Sequence, residues 1–179
     1  MKYYTGVGSR ETPNEVLTEM ETLARVFAKV GWTLRSGAAP GADTAFERGC
    51  DSENGLKEIF LPWRRFNKSL SMLYPPKLEA YNIAKSVNLG HFDYLKPTIQ
   101  HLLARNAHQV EGWELNQKSN LLVCWTPDGC RNIEERTKQS GGTGTAIALA
   151  CRVGVPVYNL YHEEDLHRLL DKINEYRVS

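Results

Sequence analysis

The sequence has no strong charge of one sign, no long apolar run and no internal repeat. Among its 179 residues, 22 lysines and arginines balance 21 aspartates and glutamates, which leaves a formal net charge of +1. A protein that binds mainly the phosphate backbone of nucleic acids is expected to be more basic than this. No apolar segment approaches the roughly 18 residues that a membrane helix needs. The composition therefore predicts an ordinary globular protein that is not embedded in a membrane.

The four cysteines do not form a recognisable metal or redox motif. Cys50, Cys124, Cys130 and Cys151 are scattered along the chain, and none belongs to a Cys-x-x-Cys pair. A chain of this length buries roughly 70% of its unfolded surface and needs no disulfide framework. The amino terminus also lacks the pattern of a secretory signal. We therefore expect reduced thiols, no metal site and a cytoplasmic location.

Strand-like and helix-like segments alternate along the chain, as in a parallel sheet covered on both faces. The predicted strands cover residues 3–7, 32–35, 58–61, 121–125 and 155–160. The sequence therefore predicts an α/β class protein: a Rossmann-like, doubly wound, mainly parallel sheet in a single domain over 1–179. Residues 67–96 fit this alternation least and are interpreted as an irregular insertion or lid with a short helix near 78–87.

The helix after the first strand has signals at both ends. Thr12-Pro13-Asn14-Glu15 has the composition of a capping box with proline at the first helical position, and Gly31 supplies the stop. The pattern predicts that the Thr12 side chain caps this helix.

Three glycine-rich turns follow predicted strands, at residues 6–10, 36–43 and 140–145. In an open parallel sheet these turns share the carboxyl edge, where ligands bind. Glycine lets backbone amides approach an anion, and a helix amino terminus adds partial positive charge. The turns thus favour a phosphate-bearing ligand, although tight turns with ordinary helix caps remain the alternative. Their candidate binding residues are Gly8, Ser9, Arg10, Ser36, Gly37, Gly41, Asp43, Gly141, Gly142, Thr143, Gly144 and Thr145.

Four other residues join this candidate site. Asn106 lies on the apolar stripe of a predicted helix over 97–110, three residues after Leu103, and a polar side chain there must be paired within the core or to a ligand. Arg105 is beside it. Trp63 and Trp125 follow strands at the same edge and are candidates for stacking on a base, although aromatic side chains are more often part of the core.

Four motifs occur in a fixed order along the chain. They are Gly6-Val7-Gly8-Ser9-Arg10, Ser36-Gly37-Ala38-Ala39-Pro40-Gly41-Ala42-Asp43, Ala104-Arg105-Asn106 and Gly141-Gly142-Thr143-Gly144-Thr145. Together they resemble the SLOG superfamily of Rossmann-like nucleotide-binding domains. The second and third motifs are similar to its DprA/Smf-like branch, found in bacteria and bacteriophages. The fourth is similar to the LOG family of phosphoribohydrolases. The resemblance implies a nucleotide ligand, a dimer, and a bacterial or phage-infected cytoplasm.

The same resemblance leaves catalysis open. LOG-type hydrolases carry a glutamate where this chain has Ala148, so the resemblance supports hydrolysis only if Asp43 or Asp128 serves as acid and base. Three functions stay in view. The first is binding of a nucleotide or nucleotide derivative, the second is hydrolysis of an N-glycosidic bond in a nucleotide, and the third is DprA-like binding of single-stranded DNA. No cofactor other than such a nucleotide is expected.

Overall fold

The computed structural model describes residues 1–178 and confirms the predicted α/β fold. Five strands form one sheet in the order β3-β2-β1-β4-β5, and every neighbouring pair is parallel. The strands are β1 Tyr3–Gly6, β2 Thr33–Ser36, β3 Lys57–Ile59, β4 Leu121–Cys124 and β5 Val157–Asn159. Because all five run the same way, the turns that follow them meet at one edge of the sheet.

Helices cover both faces of the sheet. They are α1 Asn14–Lys29, α2 Ala42–Ser52, α3 Leu78–Ser86, α4 Pro97–Glu111, α5 Gly141–Arg152 and α6 Glu163–Val178. Successive residues of β4 point to opposite faces: Leu121 and Val123 join the core under α1, α2 and α6, while Leu122 and Cys124 join the core under α3, α4 and α5. Within residues 1–178, no helix is both long and apolar enough to cross a membrane.

The predicted capping role of Thr12 is wrong. Helix α1 begins at Asn14, its N-cap is Pro13, and no side chain bonds to the cap. The Thr12 hydroxyl instead donates to the carbonyl oxygen of Ser9 at 2.5 Å. The helix begins one residue later than the pattern predicts, so Thr12 precedes the N-cap instead of occupying it.

The segment 67–96 connects β3 to α4 across the sheet. Its predicted helix is confirmed as α3, which packs against α4. Leu73 forms a single parallel bridge to Phe60, and the backbone N–H of Lys77 donates to His108 Nε2 at 3.0 Å. The segment is therefore anchored at several points, and its role as an insertion or lid stays a prediction.

Gly49 lies where α2 presses on α1, and Gly49→Ala is expected to destabilise the protein. A Cβ at this position would overlap the carbonyl oxygen of Glu21 and lie 2.8 Å from Ala24 Cβ. We expect a loss of about 1–3 kcal/mol in the free energy of unfolding, measured by urea denaturation. The control is Gly142→Ala, whose Cβ would meet only Leu103 Cδ2, at 3.9 Å. Equal stability of the two variants would contradict the prediction.

Candidate functional site

A cleft opens at the point where the strand order reverses. The chain moves from β1 to β2 on one side and later returns to β4 on the other, so the turns after these strands diverge and leave a crevice. A cavity of about 430 Å³ occupies it. Its walls come from the turn after β1, the start of α2, one face of α4 and the start of α5. All four sequence motifs contribute residues to the lining, the second of them through Ala39 and Asp43.

The first turn of α5 faces the cleft. Gly141, Gly142 and Thr143 line the cavity, and no side chain caps the helix at its N-cap, Ser140. The Gly141 N–H donates to the carbonyl oxygen of Lys138. The following N–H groups of the first turn have no partner within the helix, and the helix dipole adds positive potential there. Gly142 has no side chain to cover this backbone. The space beside it is open, because a Cβ built there would meet its nearest neighbour, Leu103 Cδ2, only at 3.9 Å. The start of α5 is therefore suited to an anion.

Asp128 supports this helix start from outside the cavity. Its carboxylate accepts hydrogen bonds from the hydroxyls of Thr137, at 2.6 Å, and Ser140, at 2.5 Å. Partial burial favours a higher pKa, but the hydrogen bonds from Ser140, Thr137, Thr126 and the backbone of Cys130 outweigh it and lower the pKa of Asp128 to about 2. Asp128 is therefore ionised at neutral pH, and its hydrogen bonds hold the turn before α5 in position.

Gly144 and Thr145 face away from the cleft. The Thr145 hydroxyl is buried and accepts from Arg136 Nη2 at 3.1 Å and from Asn88 Nδ2 at 3.2 Å. A Cβ at Gly144 would lie 2.9 Å from Arg136 Nε. This half of the glycine-threonine motif anchors α5 to the end of α3, while the first half is presented to the cavity.

Two guanidinium groups share the cleft. Arg10 is exposed at its rim, whereas Arg105 is buried and donates from Nη1 to the carbonyl oxygen of Gly37 at 2.5 Å. Burial lowers the pKa of Arg105, Asp43 raises it, and Arg10 lowers it further. Arg10 and Arg105 are thus close enough to influence each other, and an anion bound in the cleft would offset their repulsion.

Asp43 is the buried acid of the cleft, only 3% exposed in the first turn of α2. Its Oδ2 accepts from the backbone N–H of Ala39 at 3.2 Å. Burial raises the pKa of Asp43 to about 6, although Arg105 and the Ala39 hydrogen bond lower it in part. A carboxyl group with this pKa can both hold and release a proton near neutral pH.

The loop after β2 supports the cleft from below. The Ser36 hydroxyl donates to the Gly6 carbonyl oxygen at 2.6 Å, which ties β2 to β1. A Cβ at Gly37 would overlap the guanidinium of Arg105, so only glycine leaves room for that side chain. Gly41 has φ +92° at the N-cap of α2, a conformation that favours glycine. These residues shape the loop from which Asp43 extends.

The turn after β1 needs a close approach at Gly8. Gly8, Ser9 and Arg10 all line the cavity. A Cβ at Gly8 would lie 2.6 Å from Ala42 Cβ, so glycine allows this turn to touch the start of α2. The Ser9 backbone N–H donates to the carbonyl oxygen of Trp125 at 3.0 Å, which joins the turns after β1 and β4.

Helix α4 closes the cleft with polar side chains on its buried face. Asn106 donates from Nδ2 to the carbonyl oxygen of Gly142 at 2.9 Å and so ties α4 to the start of α5. Gln109 also lines the cavity, and the sequence analysis missed it. Its spacing was a usable signal, because Gln109 comes four residues after Arg105 and three after Asn106, on the same helical face.

The two candidate stacking residues pack against other aromatic side chains. Trp63 lies edge-on to Phe66, with ring centroids 5.2 Å apart, and the Phe66 ring lies 5.7 Å from Arg105 Cζ. Trp125 packs against Tyr161 at 6.4 Å. The aromatic rings thus lie beside the cleft, and its apolar wall is formed instead by Ile99, Leu102 and Leu103.

No family model matches this sequence, and no curated protein or solved structure is significantly similar to it. Residues 1–178 also bring together no group of three or more histidine, cysteine, aspartate or glutamate side chains that could hold a metal ion. The geometry of the cleft is therefore the main evidence for function.

Proposed function

We propose that the protein binds a nucleotide or nucleotide-derived ligand in the cleft. The observation that carries the proposal is that an uncapped helix start and the exposed guanidinium group of Arg10 face one cavity, to which the buried Arg105 adds positive potential. The phosphate would lie at what we call the phosphate end, formed by Arg10, Gly141, Gly142 and Thr143. Backbone amides and an arginine fork are the donors that phosphate favours.

The rest of the cavity suits a nucleoside. Its volume of about 430 Å³ lies within the range of roughly 300–1,000 Å³ that is common for small-molecule sites. Ile99, Leu102 and Leu103 offer an apolar surface to the flat face of a base. Asp43 offers carboxylate oxygens to sugar hydroxyls. This combination supports the nucleotide-binding role that the SLOG-like motifs imply. Our proposals of a dimer and of a cytoplasmic location, where the four cysteines would stay reduced, rest on the resemblance and the cysteine pattern alone.

Asp43 also favours a second candidate, hydrolysis of the N-glycosidic bond of a bound nucleotide. General acid-base catalysis is most effective when the pKa of the group lies near the working pH, and Asp43 has a pKa of about 6 inside the cleft. Asp128 is a weaker candidate because its carboxylate lies outside the cavity lining and its pKa is about 2. Release of free base from nucleoside monophosphates, abolished by Asp43→Asn, would support this candidate.

The proposed phosphate end is tested by a matched pair of variants, Gly142→Asp and Gly142→Asn. Thermal shifts with nucleoside monophosphates, cyclic nucleotides, ADP-ribose and short single-stranded DNA first identify the ligand class, since a ligand specific for the folded state raises Tm. We expect Gly142→Asp to weaken binding about tenfold or more, because its carboxylate would repel the phosphate at the start of α5. The uncharged Gly142→Asn should weaken it much less.

The pair separates binding from folding. An acidic side chain in the first turn of a helix is favourable by about 0.3–1 kcal/mol, so Gly142→Asp should not lower Tm without ligand. Equal affinity of both variants would show that the phosphate does not bind at the start of α5. A response to DNA alone, steeply dependent on salt, would favour the DprA-like function instead.

A further inference from the structure

A carboxamide without a partner lies at the end of the cleft away from α5. Gln109 is fully buried, and neither its Nε2 nor its Oε1 has a hydrogen-bond partner within residues 1–178. Buried polar side chains in proteins are nearly always paired. Gln109 nevertheless borders the cavity, so a ligand bound in the cleft is a candidate partner for this carboxamide.

The position of this side chain is built into the fold. The Gln109 carbonyl oxygen accepts from the hydroxyl of Thr5 at 2.6 Å, which ties the end of α4 to the central strand. The amide nitrogen lies against the bare Cα of Gly37, where a Cβ would overlap it. Arg105, one helical turn earlier, also has a buried Nε without a partner among the described residues. We call Asp43, Arg105 and Gln109 the deep end of the cleft.

The two ends of the cleft lie on opposite sides of β1. Gly141, Gly142 and Thr143 of the phosphate end come after β4, whereas Gln109 contacts Gly37, which follows β2. A nucleotide whose phosphate lies at the start of α5 would therefore extend its base toward the deep end, past Asn106, which bonds to Gly142, and toward Gln109 one turn further along α4.

We propose that Gln109 is the specificity-determining residue that reads the base, an inference that rests on the proposed nucleotide-binding function. A carboxamide presents one acceptor and one donor side by side, and the polar edge of a nucleobase presents the complementary pair. Gln109 therefore selects ligands whose base has an adjacent donor and acceptor at the deep end. A ligand without such a group leaves the buried amide unpaired and binds more weakly.

The test compares nucleotides with a ligand that lacks the base. Isothermal titration of the wild-type protein with AMP, GMP, CMP, UMP and ribose 5-phosphate separates the contribution of the base from that of the sugar phosphate. We expect one nucleotide to bind at least about tenfold more tightly than ribose 5-phosphate. This comparison requires no variant.

The matched variant is Gln109→Leu, with Gln109→Met as a second apolar substitution. Both keep the approximate size of the side chain and remove two unpaired buried atoms, so we expect Tm without ligand to be unchanged or higher. Affinity for the preferred nucleotide should fall at least fivefold, and affinity for ribose 5-phosphate should change less than twofold. The control is Gln100→Leu, a glutamine of the same helix that donates to Phe92 and Leu95 outside the cleft. Its nucleotide preference should be that of the wild-type protein.

Each of the other outcomes contradicts a specific part of the proposal. If the wild-type protein binds ribose 5-phosphate as tightly as every nucleotide, the base is not read and this inference fails, while the phosphate site stands. If the Gln109 variants lose affinity for nucleotide and ribose 5-phosphate equally, Gln109 is structural and the inference also fails. If neither kind of ligand binds the wild-type protein, the proposed function fails and the inference fails with it.

Discussion

Asp43→Asn is expected to stabilise the protein at pH 8 by about 3 kcal/mol, the equivalent of raising the pKa of one carboxyl group from 3.8 to about 6. Asp43 is almost fully buried, and its ionised form is desolvated beside Arg105. An asparagine side chain resembles the protonated acid: it keeps an acceptor for the Ala39 N–H and carries no charge. The folded state of the variant therefore avoids the cost of a buried carboxylate.

The pH dependence identifies the cause. Because folding raises the pKa of Asp43, the folded state binds more protons than the unfolded state between pH 3.8 and about 6. The stability that Asp43 contributes is fully present below pH 3.8 and is lost as the pH rises to about 6. In thermal melts we expect Tm of the variant to exceed that of the wild-type protein by about 6–12 °C at pH 8. The difference should vanish near pH 4.

A difference in Tm that does not change with pH would contradict this account and assign the effect to packing. A variant less stable than the wild-type protein at pH 8 would show that the pairing of Asp43 with Arg105 outweighs the cost of burial. The expected result would mean that Asp43 lowers stability at neutral pH, as is common for residues kept for binding or catalysis.

Arg105→Met is expected to have an effect of similar size and opposite sign. Arg105 and Asp43 are not in salt-bridge contact, but the positive charge of Arg105 lowers the pKa of Asp43. Loss of a nearby opposite charge costs a buried carboxylate about 1–4 kcal/mol. The methionine keeps much of the aliphatic stem, so the loss reports the charge more than the volume. At pH 5 the loss should be smaller, because Asp43 then holds a proton and needs no partner.

A double-mutant cycle tests this coupling. Urea denaturation at pH 8 of Arg105→Met, Asp43→Asn and the double variant should show that Asp43→Asn restores most of the stability lost through Arg105→Met. Arg105→Lys serves as the control that keeps the charge but not the planar fork that reaches Gly37. If the two single effects simply add, the two side chains are not coupled, and the predicted electrostatic interaction between Asp43 and Arg105 is wrong.

The sequence was sufficient to predict the architecture, because strands, helices and turns each depend on short stretches of neighbouring residues. Short apolar runs bounded by glycine or proline predicted all five strands, and glycine-rich turns predicted where the cleft would lie. The alternation along β4 is sufficient to assign its residues to two faces. The capping box at Thr12 failed because the helix begins one residue later than the pattern predicts, with Pro13 and not Thr12 in the N-cap position.

The roles of individual site residues were decided only by the tertiary structure, because their partners are distant in sequence. The motif at 141–145 reads as one phosphate loop, yet Arg136 and Asn88 draw Thr145 away from the cleft while Gly142 faces it. Gln109 was readable as a polar residue on a buried helical face, but its lack of a partner emerges only when α4 packs over β1 and β2. The sequence by itself thus determined the sheet and the edge that carries the cleft, and long-range packing decided which side chains a ligand can reach.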